Sequence, residues 1–280
     1  MNASQRSPGL ALVAVLWLLA ALSILVGGML RTLRSEIRTS AQRTTLAGLH
    51  TQADAVLTLG AQMMIRAAPF TDPAKVPANL ELTWDNQPRS IRVEPLNGLI
   101  DINRAPLTLI TEMLRTLGGL DFDAALALAQ SIEAIRKPTS GPATSQPFLA
   151  QEDLMRVPGF TYELYAKIFG HVTAQLPDGT GRVNPHFSSA RVLEVLTGGN
   201  RARADVLSTS GSATRSLMDT SAMRPDWIDT QLSKCFRLST ALDSAAARWR
   251  WHDICLTQDS ASGLPWRHIG TGDGGEFTPN

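Results

Sequence analysis

From Ser7 to Leu30 the chain carries no charged side chain, and Arg31, Arg34 and Arg38 follow at once. No other feature limits the fold so strongly. The apolar run from Leu10 to Leu30 is about twenty residues, the length a helix needs to cross a hydrocarbon core of ~30 Å. A secretory signal differs: its apolar region is roughly 7–15 residues, with small residues at a cleavage site behind it. Gly27-Gly28 fits that pattern only when it is stretched, so removal behind the run is the weaker alternative.

The following segment extends the same element. No proline occurs between Pro8 and Pro69, and apolar residues recur at Leu30, Leu33, Ile37, Ala41, Leu46, Leu49, Ala53, Val56, Leu57, Met63 and Met64. That is helical spacing, with arginine, threonine and glutamine on the other face. It predicts one continuous helix from Leu10 to Ala67, about 85 Å long at 1.5 Å per residue. One half suits lipid; the other is an amphipathic stem. A simple anchor has no need of the stem, whereas a subunit packed against neighbouring helices does.

A short polar leader ending in glycine, "MNASQRSPG", joined directly to such a helix, resembles a type IV pilin-like precursor. The resemblance implies cleavage by a prepilin peptidase after Gly9, a mature chain starting at Leu10, methylation there, and retention of the apolar helix. Most of these proteins carry glutamate at mature position five, where it neutralises a neighbour's amino terminus inside the membrane, because an unpaired charge there is costly. This chain has Ala14 instead. Lack of that glutamate is similar to the protein K class of large minor pseudopilins in the type II (general) secretion pathway. Charge bias runs the other way: Arg31, Arg34, Arg38 and Arg43 outnumber Arg6 plus the amino terminus, which by itself would hold the stem in the cytoplasm. Leader cleavage requires a cytoplasmic amino end, so the topology followed here is single-pass in the bacterial inner membrane, with most of the chain periplasmic.

Beyond Pro69, Leu80–Trp84 and Ser90–Glu94 alternate apolar with polar around a turn at Asp85–Pro88, a hairpin signature. A short strand at Leu99–Ile102 precedes a helix opened by Asn103 and Pro106. Residues 106–175 read as helical, including a helix whose apolar face runs through Phe122, Leu126, Ala129, Ile132 and Ile135. Two short helices flank the turn Val157-Pro158-Gly159, which resembles a helix-hairpin-helix unit. Nucleic-acid-binding versions need backbone amides open to a phosphate and basic residues beside them. Only Arg156 and Lys167 are basic here, which favours a packing module. The segments "GLIDINRAP" and "GRVNPHFSS" echo one another; two unrelated strand-to-helix turns explain that equally well. In the protein K class such asparagine-containing turns bracket the helical insertion, and "NGLIDINRAP", "FLAQEDLMRVPGF" and "GRVNPHFSSARVLEVL" follow the order of that class.

Residues 198–226 are rich in Gly, Ser, Thr and Ala and read as a flexible loop with room for one helical turn, not as a site. The strands "CFRLSTAL" and "ARWRWHDICL" then form a hairpin that sets Cys235 opposite Cys255 and Arg237 opposite Asp253. An oxidising compartment would bridge the cysteines; the alternative is two buried thiols.

Chemistry is otherwise sparse. The five histidines show no paired spacing, and there is no CxxC pair, GxGxxG, P-loop or GxSxG. His186 beside Ser188-Ser189 has no evident acid partner. Asp121, Asp123, Glu152 and Asp153 suit helix capping. Calcium binding in the helical region is implied only by the resemblance, and residues 138–147 contain no acidic side chain. A net charge of +1 gives no long-range pull toward nucleic acid.

The expected fold is α+β: a long amino-terminal helix on a small antiparallel sheet, with an inserted all-α, SAM-like or helix-hairpin-helix domain. The expected segments are leader 1–9, membrane helix 10–30, stem 31–68, first β region 69–102, helical insertion 103–197, loop 198–226, second β region 227–270 and disordered tail 271–280. The resemblance implies a non-enzymatic cap at the pseudopilus tip that helps export folded proteins. Its partners would be minor pseudopilins of the I and J classes, prepilin peptidase and inner-membrane lipid, with no nucleic acid and no small-molecule substrate. The alternative is a membrane-anchored helix-hairpin-helix protein of DNA uptake.

Overall fold

The computed structural model describes residues 8–67, 75–136, 148–209, 218–243, 248–257 and 261–274. The chain divides into two compact units, 1–52 and 53–280. Helix α1, Pro8–Ala67, runs through 60 residues, as the absence of proline predicts. In the first unit its described side chains are mainly exposed.

The second unit begins where α1 gains a buried face. Ala53, Val56, Leu57, Ala61 and Met64 are buried, and the last four of these pack with Ile91, Val93, Phe236, Leu238, Ile254 and Trp266. Those partners come from an antiparallel five-stranded sheet in the order β1-β2-β5-β6-β7. Its strands are β1 (Asn79–Trp84), β2 (Gln87–Pro95), β5 (Cys235–Asp243), β6 (Arg248–Cys255) and β7 (Arg267–Gly274). The first hairpin turns on two residues rather than four, since Asp85 and Asn86 both take positive φ (51° and 56°). Two such residues match the right-handed strand twist, and Asp and Asn tolerate that conformation best after glycine.

Residues 96–234 are inserted between β2 and β5, which are neighbours in the sheet. The insertion carries β3 (Ile100–Asp101), α2 (Leu107–Thr116), α3 (Phe122–Arg136), α4 (Tyr162–Ile168), β4 (Val172–Thr173), α5 (Ala190–Leu196) and α6 (Arg201–Ser208) around its own apolar core. It is not all-α. Strands β3 and β4 pair in parallel, with Ile100 opposite Val172, because both β-branched side chains are fully buried between the helices.

Four further expectations need correction. On α3, Phe122 is exposed and the buried stripe is Ala125, Leu128, Ala129 and Ile132; both stripes have helical spacing, and the core of the insertion takes the second. The segment before Val157 is a 3₁₀ helix, Gln151–Arg156. The region 198–226 is not wholly loop: Asn200 accepts from Arg203 N–H and caps α6, which buries Ala204 and Leu207. Residues 271–274 belong to β7 rather than to a tail. Gly272 is needed there, since a Cβ on it would lie 2.5 Å from the indole of Trp251. Residues 1–7 of the leader, the loop 138–147, residues 210–217 and the end of the tail at 275–280 lie outside the described residues.

Candidate assembly site

Helix α1 carries two different surfaces. Gly9, Leu10 and Ala14 stand in its first turns; their side chains lie outside the described residues. From Val13 to Leu25 the described apolar side chains are bare. Leu16, Trp17, Leu18 and Leu19 are 59%, 74%, 64% and 57% exposed. Four consecutive helical residues point in four directions 100° apart, so the apolar surface runs round the whole helix. Among the described residues, no helix is long and apolar enough to cross a membrane. Ile37 is bare as well, whereas Leu57 and Met64 are fully buried.

Where the buried face starts, a polar cluster ties α1 to the sheet. Asp54 accepts from Arg250 Nε and His252 Nε2, both at 2.8 Å. Arg250 Nη1 also donates to Asp273 at 3.0 Å. The imidazole of His268 meets that of His252 edge-on, 4.7 Å between centroids. Arg250 and His252 hold the Asp54 carboxyl below its usual value against the effect of burial. This cluster joins residues almost 200 positions apart, and nothing in the linear sequence marks it.

On the opposite sheet face lies a buried ion pair. Arg237 Nε and Nη2 each donate to one oxygen of Asp253 at 2.8 Å, and the guanidinium stacks 4.3 Å from the centre of the Trp251 ring. One step along, Cys235 and Cys255 are joined, S–S 2.07 Å, in the register that puts them directly opposite.

The turn Val157-Pro158-Gly159 is built for packing. Val157 and Phe160 are buried, Gly159 takes φ 86°, and Thr161 caps α4 by accepting from Leu164 N–H. The Phe160 amide donates to Val157 O. Arg156 faces Asp153 at 3.3 Å and Lys167 faces Glu163 at 2.9 Å. Amide and cations are thus engaged within the unit, which leaves a poor cradle for phosphate.

The roots of the insertion are knotted by asparagines. Asn97 and Asn184 both donate from Nδ2 to Gln231 O, at 2.7 and 3.0 Å, and Asn184 N–H donates to Asn97 O. Asn103, the other half of the sequence echo, instead bonds the main chain of Phe148 and Ala174. Asp153 accepts from Leu149 and Ala150 amides and Asp121 from Ala124, so these carboxylates cap. Ser188 donates to the Gly98 and Asn184 carbonyls, while Ser189 sits 3.4 Å from His171. His171 is pushed down to about 4 by burial, and Asp101 up to about 6 by the same cause. Among the described residues no three His, Cys, Asp or Glu side chains converge on a metal position.

No family model matches the sequence, and no curated protein does. Among solved structures, one chain aligns over 85% of this chain and 99% of its own, with 14% identity and a TM-score of 0.49. It belongs to the GspK-GspI-GspJ complex of the type 2 secretion system from enterotoxigenic Escherichia coli. Likeness at that level fixes neither family nor function.

Proposed function

We propose that this chain is a minor pseudopilin of the type II secretion pathway, of the protein K class. In this reading it is cut after Gly9, held in the inner membrane by residues 10–30, and placed at the tip of the periplasmic pseudopilus. The observation that carries the reading is the change along α1: the described apolar side chains between Val13 and Leu25 are bare, whereas from Ala53 onward the helix is docked on an antiparallel sheet. An all-round apolar helix needs lipid or other helices around it. Ala14 suits a leading subunit, which has no earlier neighbour's amino terminus to neutralise. The insertion 96–234 adds bulk suited to a cap rather than to a repeating shaft subunit.

The tip role implies smaller minor pseudopilins as partners, with apolar stem residues such as Ile37 and Leu46 as the packing surface. The DNA-uptake alternative has little to stand on, because Arg156 and Lys167 already face carboxylates.

Amino-terminal sequencing of membrane-extracted protein, made with and without prepilin peptidase, tests the reading. A methylated Leu10 that depends on the peptidase is expected. A start at Met1 in peptidase-containing cells, or a start after Gly28, overturns it.

A further inference from the structure

The contact between α1 and the β6–β7 edge contains two imidazoles in ring contact, one of them bonded to the helix. His252 Nε2 is 2.8 Å from Asp54 Oδ1, and His268 lies edge-on to His252 at 4.7 Å. The charged and titratable groups facing this pair are Asp54 from α1, Arg250 and Asp253 from β6, and His268 and Asp273 from β7. His50 stands one turn earlier along α1. Asp253 is already matched by Arg237 on the far face. Among the described contacts on the near side, the carboxylates of Asp54 and Asp273 share the Arg250 guanidinium. One added proton balances that set; a second leaves it positive, with two imidazolium rings touching.

We propose that Asp54, His252 and His268 form an acid-sensitive clasp, which holds α1 and β7 on the sheet at neutral pH and loosens them when both imidazoles carry a proton. His252 is the inner member: its side chain is 12% exposed, and its single bond to Asp54 fixes the ring. His268 is the outer member, exposed on edge strand β7, so it takes its proton from solvent without unfolding anything. The second charge then falls on a strand with one neighbour only, where separation costs least. Burial lowers His252 below the ordinary histidine value despite the pull of Asp54; His268, open on its outer side, is lowered by partial desolvation of the ring where it meets His252 and by the charge of His252. Both folded values lie below the unfolded one. The stability these groups hold is present at neutral pH and is lost as pH falls through them.

Hydrogen exchange of the full chain in detergent, read on peptides covering 53–67 and 267–274 and corrected for intrinsic rate, tests the clasp. Between pH 7.5 and 4.5, protection of both peptides should fall about fivefold. His268→Gln should remove most of that change while leaving protection at pH 7.5 near the parent value. His268→Lys supplies the first charge permanently, so both peptides should stay protected at pH 7.5 and should loosen at a higher pH than in the parent, when His252 alone takes a proton. Unchanged protection across the range overturns the proposal. So does equal loosening of His268→Gln at both pH values, which would make His268 a packing residue only.

Discussion

Residues 13–25 and 53–67 of α1 belong to one unbroken helix, yet they live in opposite surroundings. Trp17 is 74% exposed, and Leu57 is completely buried under Ile91, Phe236 and Leu238. Helix propensity cannot distinguish the two segments, since both are rich in alanine and leucine. What separates them is how apolar residues are arranged. The first is apolar all round and leaves no polar side to face water; the second has one apolar stripe that a single sheet can cover. The difference teaches that a helix declares its surroundings through its pattern more than through its composition.

Charge placed in the two segments should break them in different ways. Leu57→Asp buries a carboxylate without a partner and should cost about 4 kcal/mol or more, enough to unfold the second unit in urea titrations followed by tryptophan fluorescence. Leu18→Asp should leave that urea midpoint unchanged but sharply reduce the fraction of chain recovered with membranes. Loss of the midpoint in both variants would end the distinction between the segments.

The buried pair Arg237–Asp253 tests the sheet that α1 docks on. Asp253→Ala strands a guanidinium that is 3% exposed and should cost about 3–5 kcal/mol, while Arg237→Met with Asp253→Leu should recover most of it. Denaturation of the single and double variants checks both.

Acid response sharpens the comparison inside the insertion. Burial raises Asp101 to about 6, so the folded chain takes that proton before the unfolded chain, and stability rises as pH falls from 6 toward 3.8. Burial lowers His171 to about 4, so stability falls as pH drops from 6.5 toward 4. Each is worth about 3 kcal/mol and they oppose one another. Relative to the parent, Asp101→Asn should make acidification from pH 6.5 to 4 more destabilising, and His171→Gln should make it less so. Urea midpoints at the two pH values measure both shifts.

The smallest effect compares two threonines. Thr161 caps α4 and Thr161→Ala should cost about 1 kcal/mol. Thr45, exposed on α1, bonds only the Ala41 carbonyl within its own helix, and Thr45→Ala should be neutral within about 0.5 kcal/mol. Thermal midpoints distinguish them.

Legibility followed the range of the interaction. The 60-residue helix, the two hairpins and the pairing of Cys235 with Cys255 depend on proline placement, alternation and register, which neighbouring residues express. Helix α6 was hidden because its two buried residues, Ala204 and Leu207, sit in a segment whose composition suggests loop. Strand β7 was hidden because its glycines look like disorder until Trp251 is placed against Gly270 and Gly272. The Phe122 stripe failed because α3 offers two stripes and the core of the insertion, not the local sequence, chooses between them.

Taken alone, the sequence determined the continuous helix, the bare apolar segment joined to a stem, the absence of a glutamate at Ala14, and the hairpin that brings the cysteines together. These rest on spacing within one element or on one turn. The tertiary structure alone decided that Asp54 would meet Arg250 and His252, that Asn97 and Asn184 would share Gln231, and that β3 would pair with β4. Such contacts close loops of tens to hundreds of residues. Their partners are chosen by how the layers pack, and no local pattern records that choice.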